Sequence, residues 1–192
     1  KQLYGSLGFN FLDVKSKVET FEKKRVNLYF EIEKGKKTKI SKINFKGDRK
    51  IRDRRLRDII TSQESKFWKV ITQNTRLNRS NIELDKRLLT NYYKSIGYYD
   101  VKVLSEIVEL KEDFQAEITF NINAGTRYRI SKISTKVDPV LEKKLFLPMN
   151  KIYSKAIGSY YSPFIVKNIL DELDEIISNE DIQFVEHNVK EI

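Results

Sequence analysis

The sequence predicts an α+β fold of tandem βααββ units, each a three-stranded sheet with two helices on one face, and three observations lead there. The stretch VNLYFEIEKGKKTKISKI, from Val26 to Ile43, recurs ninety positions later as AEITFNINAGTRYRISKI, from Ala116 to Ile133. Seven of the eighteen positions are identical: Phe30/Phe120, Ile32/Ile122, Gly35/Gly125, Ile40/Ile130, Ser41/Ser131, Lys42/Lys132 and Ile43/Ile133. Self-similarity at a fixed period marks a structural unit copied along a chain. A second pair, LYGSLGF from Leu3 and YYKSIGY from Tyr92, repeats at an offset of 89, so one insertion separates the two motifs. Between the copies, apolar residues alternate as in half-buried strands and then recur at helical spacing, and one two-layer packing buries all those faces.

The elements follow in order. Gly97 sits where a helix C′ residue belongs, so by its repeat the chain is expected to open at the last turn of such a helix. A strand around Phe9 to Val18, a turn near Glu22 to Arg25 and a strand from Val26 to Glu33 come next, with Leu28, Phe30 and Ile32 on one face. Gly35 and Gly125 permit a positive φ where one unit passes into the next. The complete unit then starts with a strand from about Thr38 to Phe45, a Gly47-Asp48 turn, and a short helix from Asp53 to Ile60 with Leu56, Ile59 and Ile60 inward. A connection from Thr61 to Arg79 carries Phe67 and Trp68. Ser80 and Glu83 match an S-x-x-E capping box opening a helix to Ile96, along which Leu84, Leu88, Tyr92 and Ile96 recur at i+4. A hairpin closes the unit, with arms from about Tyr98 to Val108 and Gln115 to Ile122.

The third stretch repeats the early part of that order. It is expected to hold a strand from Arg127 to Thr135, a short helix after Pro139 (Val140, Leu141, Leu145), and a helix with Ser162 as N-cap and Pro163 at N1. Phe164, Ile169, Leu173, Ile176 and Ile177 form that helix's apolar stripe, and a strand from Ile182 to Val189 follows. Three domains result: residues 1–35 as the closing part of a first unit, 36–125 as a complete unit, and 126–192 as a third unit lacking its last strand.

Of the net charge of +10, all is concentrated in one run: Lys34 to Arg57 holds twelve basic residues against Asp48 and Asp53, and the rest of the chain balances. The densest part is Lys46, Arg49, Lys50, Arg52, Arg54 and Arg55. Such a patch suits nucleic acid, an anionic membrane or an acidic protein surface. The preferred reading is a solvated face. There is no cysteine for disulfides or thiolate sites, and no apolar run of membrane-spanning length. His187 is the single histidine, and Asp171, Asp174 and Glu175 fall at i+3 and i+4 on a helix as solvated faces do, so no catalytic, cofactor or metal constellation is predicted and the chain is read as a non-enzyme. Phe67 and Trp68 are read as core caps, with a partner anchor as the alternative, and Tyr98-Tyr99 and Tyr160-Tyr161 are read the same way.

The tyrosine-rich helix ending in Gly-Tyr (Tyr92, Tyr93, Gly97, Tyr98), the strand-Gly junction (Phe120, Ile122, Gly125), the I-x-x-I-x-F-x-G-D strand (Ile40, Ile43, Phe45, Gly47, Asp48) and L-R-x-x-I (Leu56, Arg57, Ile60) together resemble the POTRA, or polypeptide-transport-associated, domain. The resemblance covers essentially the whole chain and is nearest the periplasmic arms of outer-membrane protein assembly factors. Arg52 departs from it, standing where a capping Ser or Asp is usual, and so does Ser178-Asn179-Glu180, which replaces Gly-aromatic after the last helix. It implies a mixed sheet with the third strand central and the second at an edge. It further implies a periplasmic scaffold that binds unfolded outer-membrane proteins and accessory lipoproteins by adding a strand to that edge. The edge residues would be Ile182, Gln183, Phe184, Val185, Glu186 and His187, with Val101 and Val103 in the complete unit. A missing central strand would leave a slot between Arg129 to Thr135 and Ile182 to Val189, open to strand exchange with Val26 to Ile32 of another copy, unless the last strand is poorly ordered. The alternatives are the arm of another translocase, such as a two-partner secretion transporter, and a basic nucleic-acid-binding repeat. Against the second, most aromatics lie within the apolar periodicity, so no nucleic acid is expected, while an anionic membrane surface stays open as a partner.

Overall fold

Alternating apolar residues in three segments dictate a sheet with one dry face and one wet face. In the computed structural model, which describes residues 2–21, 25–66, 73–110, 113–137, 143–179 and 188–190, those segments are β3 (Lys39–Asp48), β4 (Lys102–Leu110) and β5 (Gln115–Asn123). Their order is β3-β5-β4, with β3 parallel and β4 antiparallel to the central β5. Ile40, Ile43 and Phe45, then Val103, then Ala116, Ile118, Phe120 and Ile122 are buried, and Phe45 stacks on Phe120 at 5.7 Å. The expected Gly47-Asp48 turn falls at the end of β3, where both residues still pair with Ile122 and Asn123 and the Gly47 carbonyl accepts the Arg49 N–H at 2.9 Å. The φ of +87° at Gly47 lets the chain pass close to the Ile122 carbonyl.

This sheet belongs to the first of two compact units, residues 1–92 with 101–124; the second comprises 93–100 with 125–192. Helix α2 (Asp53–Ile59) opens at Arg52 without a side-chain cap, and Leu56 and Ile60 are buried. Helix α3 (Arg79–Ser95) starts earlier than the Ser80 capping box implies, because the Asn78 Oδ1 accepts the Ser80 N–H at 2.9 Å and Glu83 turns to Lys86 instead. Its buried stripe is Ile82, Asp85, Leu89 and Tyr93, while Leu84, Leu88 and Tyr92 lie half-buried on the flank. Asp85 can be buried because it is saturated with donors: the Thr61 N–H (2.6 Å), the Thr61 hydroxyl (2.7 Å) and the Ser62 N–H (3.2 Å). Phe67 and Trp68 lie outside the described residues.

The chain opens with the short helix α1 (Gln2–Ser6) and a hairpin of β1 (Asp13–Phe21) and β2 (Arg25–Glu33), which forms a two-stranded sheet of its own. The repeat aligns Leu28, Phe30 and Ile32 with Ile118, Phe120 and Ile122. The first three are 54%, 60% and 42% exposed, and their counterparts are 0%, 0% and 1% exposed.

In the second unit, a 3₁₀ turn at Lys143–Phe146 leads to α4 (Met149–Ala156), which periodicity had not announced, and then to α5 (Pro163–Asn179). Ser162 caps α5 as expected, its hydroxyl accepting the Phe164 N–H at 3.3 Å. Ile177 is buried and Ile169, Leu173 and Ile176 half-buried, but Phe164 is 65% exposed and does not join the stripe. The expected strand from Arg127 to Thr135 reduces to one bridge, Arg129 with Tyr160. In the first unit β3 is held along its length by β5, and no described segment of the second unit supplies such a partner. Residues 138–142 and most of the predicted strand Ile182 to Val189, with the slot it would border, lie outside the described residues.

The two glycine motifs build the same bonds twice. The Gly8 carbonyl accepts the Thr38 N–H (2.9 Å) and the Thr38 carbonyl accepts the Leu77 N–H (2.9 Å); likewise Gly97 accepts from Tyr128 (2.8 Å) and Tyr128 from Tyr161 (3.0 Å). The bridges Lys39 with Arg76 and Arg129 with Tyr160 extend each relay. Thr38 and Tyr128, or Leu77 and Tyr161, share little side-chain chemistry, so the backbone carries the pattern.

Candidate functional site

A three-stranded sheet leaves an unpaired row of backbone groups on each outer strand, here β3 and β4. The chain closes part of the first by itself, around Ile40 and Ile43. The Ile43 N–H donates to Glu64 Oε1 (3.0 Å), the Ile43 carbonyl accepts from Arg57 Nη2 (2.6 Å), and Arg57 Nη1 donates to the same Glu64 oxygen (2.6 Å). A carboxylate and a guanidinium thus stand in for the acceptor and donor of a neighbouring strand. The Ser65 N–H serves the Ile40 carbonyl and the Arg49 N–H serves Gly47. Burial pushes the Glu64 carboxyl up, but the Ile43 hydrogen bond, then the hydrogen bond and charge of Arg57, outweigh it and hold its pKa below the ordinary glutamate value.

Among the described residues no strand pairs with the outer edge of β4, and ladder parity shows which of its groups are free. Ile43 turns its N–H and carbonyl outward, so its neighbours Lys42 and Asn44 bond β5, and Ile118, Phe120 and Ile122 turn theirs toward β3. Glu117, Thr119 and Asn121 are left to bond their β4 partners Val108, Glu106 and Leu104. Val103, Ser105 and Ile107 therefore direct their backbone groups away from the sheet. Beside them, Arg79, Ile82, Glu83 and Lys86 of α3 and Ser105 and Ile107 of β4 line an open cleft of about 300 Å³. Its rim is charged and its exposed lining mostly polar, with Ile82 buried beneath it and Ile107 half-buried at its side.

The two predicted edge residues that fall within the described structure, Val101 and Val103, are buried by their side chains. They anchor the strand, and Val103 alone of the two lies within it and presents outward backbone groups. Residues 182–187 lie outside the described structure. The basic run is spent more locally than its composition suggests. Arg49 pairs with Asp53 (2.8 Å), Lys50 with Asp48 (2.7 Å), and Arg55 lies over the Tyr92 ring at 5.3 Å. Lys46, Arg52 and Arg54 are exposed with no carboxylate partner among the described residues. The reading of the paired tyrosines as core holds in part: Tyr98, Tyr160 and Tyr161 are half-buried, and Tyr99 is exposed. Sequence reasoning missed the Arg57–Glu64 clamp and the outward Ser105 and Ile107. The first joins separate elements and leaves no local signal; the second follows from strand parity once one outward residue is known. No group of three or more His, Cys, Asp or Glu among the described residues is placed to hold a metal, and no described helix is long and apolar enough to cross a membrane.

Residues 38–125 match the family model described as POTRA, surface antigen variable number repeat. Over 162 residues the chain is 27% identical to the outer membrane protein assembly factor BamA of Neisseria meningitidis serogroup B, covering 81% of this chain and 20% of that protein. It is 25% identical over 118 residues to BamA of Neorickettsia risticii, covering 62% and 16%. The chain thus spans a fifth or less of the length of these curated relatives. The fold resembles that of a crystal structure of Haemophilus influenzae BamA POTRA3-5, with a TM-score of 0.56 and 16% identity over 91% of this chain and 65% of that one.

Proposed function

Residues 38–125 belong to the POTRA family, and from that premise we propose that the chain works in the periplasm as part of the scaffold arm of an outer-membrane protein assembly factor. It takes extended segments of unfolded outer-membrane proteins, and accessory lipoproteins, as an added strand on β4. Residues 36–125 act as the complete unit, and 1–35 and 126–192 as parts of its neighbours. The observation that carries the reading is the asymmetry of the sheet: on β3 the outward groups of Ile43 and the Ile40 carbonyl are taken by Glu64, Arg57 and Ser65, whereas β4 has outward backbone groups at Val103, Ser105 and Ile107 beside a cleft. Backbone pairing confers affinity with little dependence on client sequence, which suits clients that share only alternating strand character.

Proline at Ser105 removes one outward N–H and leaves the ladder to β5 intact. Titration of the ¹⁵N-labelled chain with a peptide of alternating valine and threonine should shift the amides of Val103, Ser105 and Ile107, and Ser105→Pro should weaken binding about tenfold or more. If Ser105→Pro fails to fold, Ile107→Pro makes the same test one pleat along. Unchanged affinity in a folded proline variant, or peptide shifts centred on β3, would refute the proposal.

A further inference from the structure

Among the described residues, Arg49, Lys50, Arg57, Lys86 and Lys167 each pair with a carboxylate. Arg127 and Arg129 are different. They stand at i and i+2 of an extended segment and so fall on one side of it. Both converge on Tyr160: their guanidinium carbons lie 3.3 and 4.0 Å from its ring centroid, and Arg127 also lies 5.8 Å from that of Tyr98. The two charges are therefore no more than about 7 Å apart, a range at which like charges repel.

Backbone carbonyls hold both guanidinium groups in place. Arg127 Nε donates to the Ile96 carbonyl (2.6 Å) and Arg129 Nη1 to the Gly158 carbonyl (2.5 Å). Gly97 makes room for this, since a Cβ there would come within 2.9 Å of Arg127 Cγ. No described carboxylate neutralises either arginine, and that of Asp100 accepts the Tyr128 hydroxyl at 2.7 Å. The remaining guanidinium N–H groups have no partner among the described residues, and both side chains are exposed. At the first relay the same positions are Lys37 and Lys39, with Arg76 in place of Tyr160. The backbone relay thus forms with lysines at those two positions, and joining the chain does not explain the arginine pair.

We propose that Arg127 and Arg129, seated on Tyr160, form a receptor for a carboxylate on an acidic segment of a partner protein. Two fixed guanidinium forks offer planar, paired donors of the kind that match a carboxylate. The surroundings favour a protein over other anions: exposed Tyr99, set edge-on to Tyr161 at 5.1 Å, and exposed Tyr128 flank the pair, and arginine with tyrosine is the composition of binding hot spots. None of these residues belongs to β4 or to its compact unit, so either reading can fail without the other.

The test follows the Arg127 and Arg129 Nε–Hε NMR signals of the chain. The probes are an acetylated and amidated Gly-Ser-Asp-Glu-Asp-Ser-Gly peptide, its Asn and Gln counterpart, inorganic phosphate, and phosphatidylglycerol vesicles. The acidic peptide should shift both signals saturably and the amide counterpart should not. Arg129→Gln should weaken binding about tenfold, and Arg127→Lys, which keeps the charge and loses the fork, by a similar factor. Lys46→Gln should change nothing. Should Arg127→Lys melt early, Arg129→Gln decides alone. The proposal falls if the amide peptide binds equally, if the folded Arg129→Gln binds as well as the parent, or if phosphate or the vesicles occupy the pair more tightly than the acidic peptide.

Discussion

Replacing Gly47 by alanine isolates the cost of one backbone contact, because the chain supplies its own control. Gly47 and Gly158 have almost the same φ, +87° and +84°. An alanine at either position pays about 1–2 kcal/mol for the left-handed conformation. At Gly158 the new Cβ meets nothing within 4 Å, so that is the whole cost. At Gly47 it would lie 2.4 Å from the Ile122 carbonyl oxygen and 3.2 Å from the Ile122 nitrogen and carbonyl carbon. Those atoms belong to β5, which is held by ladders on both sides and cannot retreat without losing one. Forced displacement of this kind adds about 1–3 kcal/mol, for a total of about 2–5 kcal/mol at Gly47. The glycines belong to different compact units, so the assay must be local: amide exchange along β5 for Gly47→Ala, and along α4 and α5 for Gly158→Ala. Equal losses of protection in the two variants would refute the reasoning, since φ alone would then account for both.

Asp85→Ala strands the Thr61 and Ser62 donors in the core and should cost about 3 kcal/mol in urea unfolding, with Asp85→Asn recovering part of it; a loss under about 1 kcal/mol would contradict the role assigned to Asp85. Glu64 has a folded pKa below its ordinary 4.5, so it stabilises the fold above that value and loses the contribution as pH falls through the folded pKa. Glu64→Gln should therefore unfold at lower urea near neutrality and show a flatter loss of stability on acidification, and an unchanged acid limb would count against the clamp.

One part of this architecture depends only on neighbours along the chain. The ninety-residue repeat, the glycine that ends α3, the Ser162-Pro163 start of α5 and the alternation of β3 and β5 are local chemistry, and each was legible. The helix stripe was legible only in part, because α3 is apolar on two adjacent flanks. Asn78 and Ser80 compete to cap it, and the choice of the Ile82, Leu89 and Tyr93 face depends on where Thr61 and Ser62 arrive to satisfy Asp85. The edge of the second strand, β4, was proposed through the POTRA resemblance, but what covers part of the other edge was not legible. That rests on Arg57 and Glu64 reaching Ile43 from other elements. The hairpin makes the same point most simply. Phe30 and Phe120 occupy the same place in the repeat, yet one is 60% exposed and the other 0%. Pattern decides which face of a strand is apolar; whether that face becomes core depends on a layer brought against it by distant parts of the chain, because burial belongs to the packed pair and not to the strand.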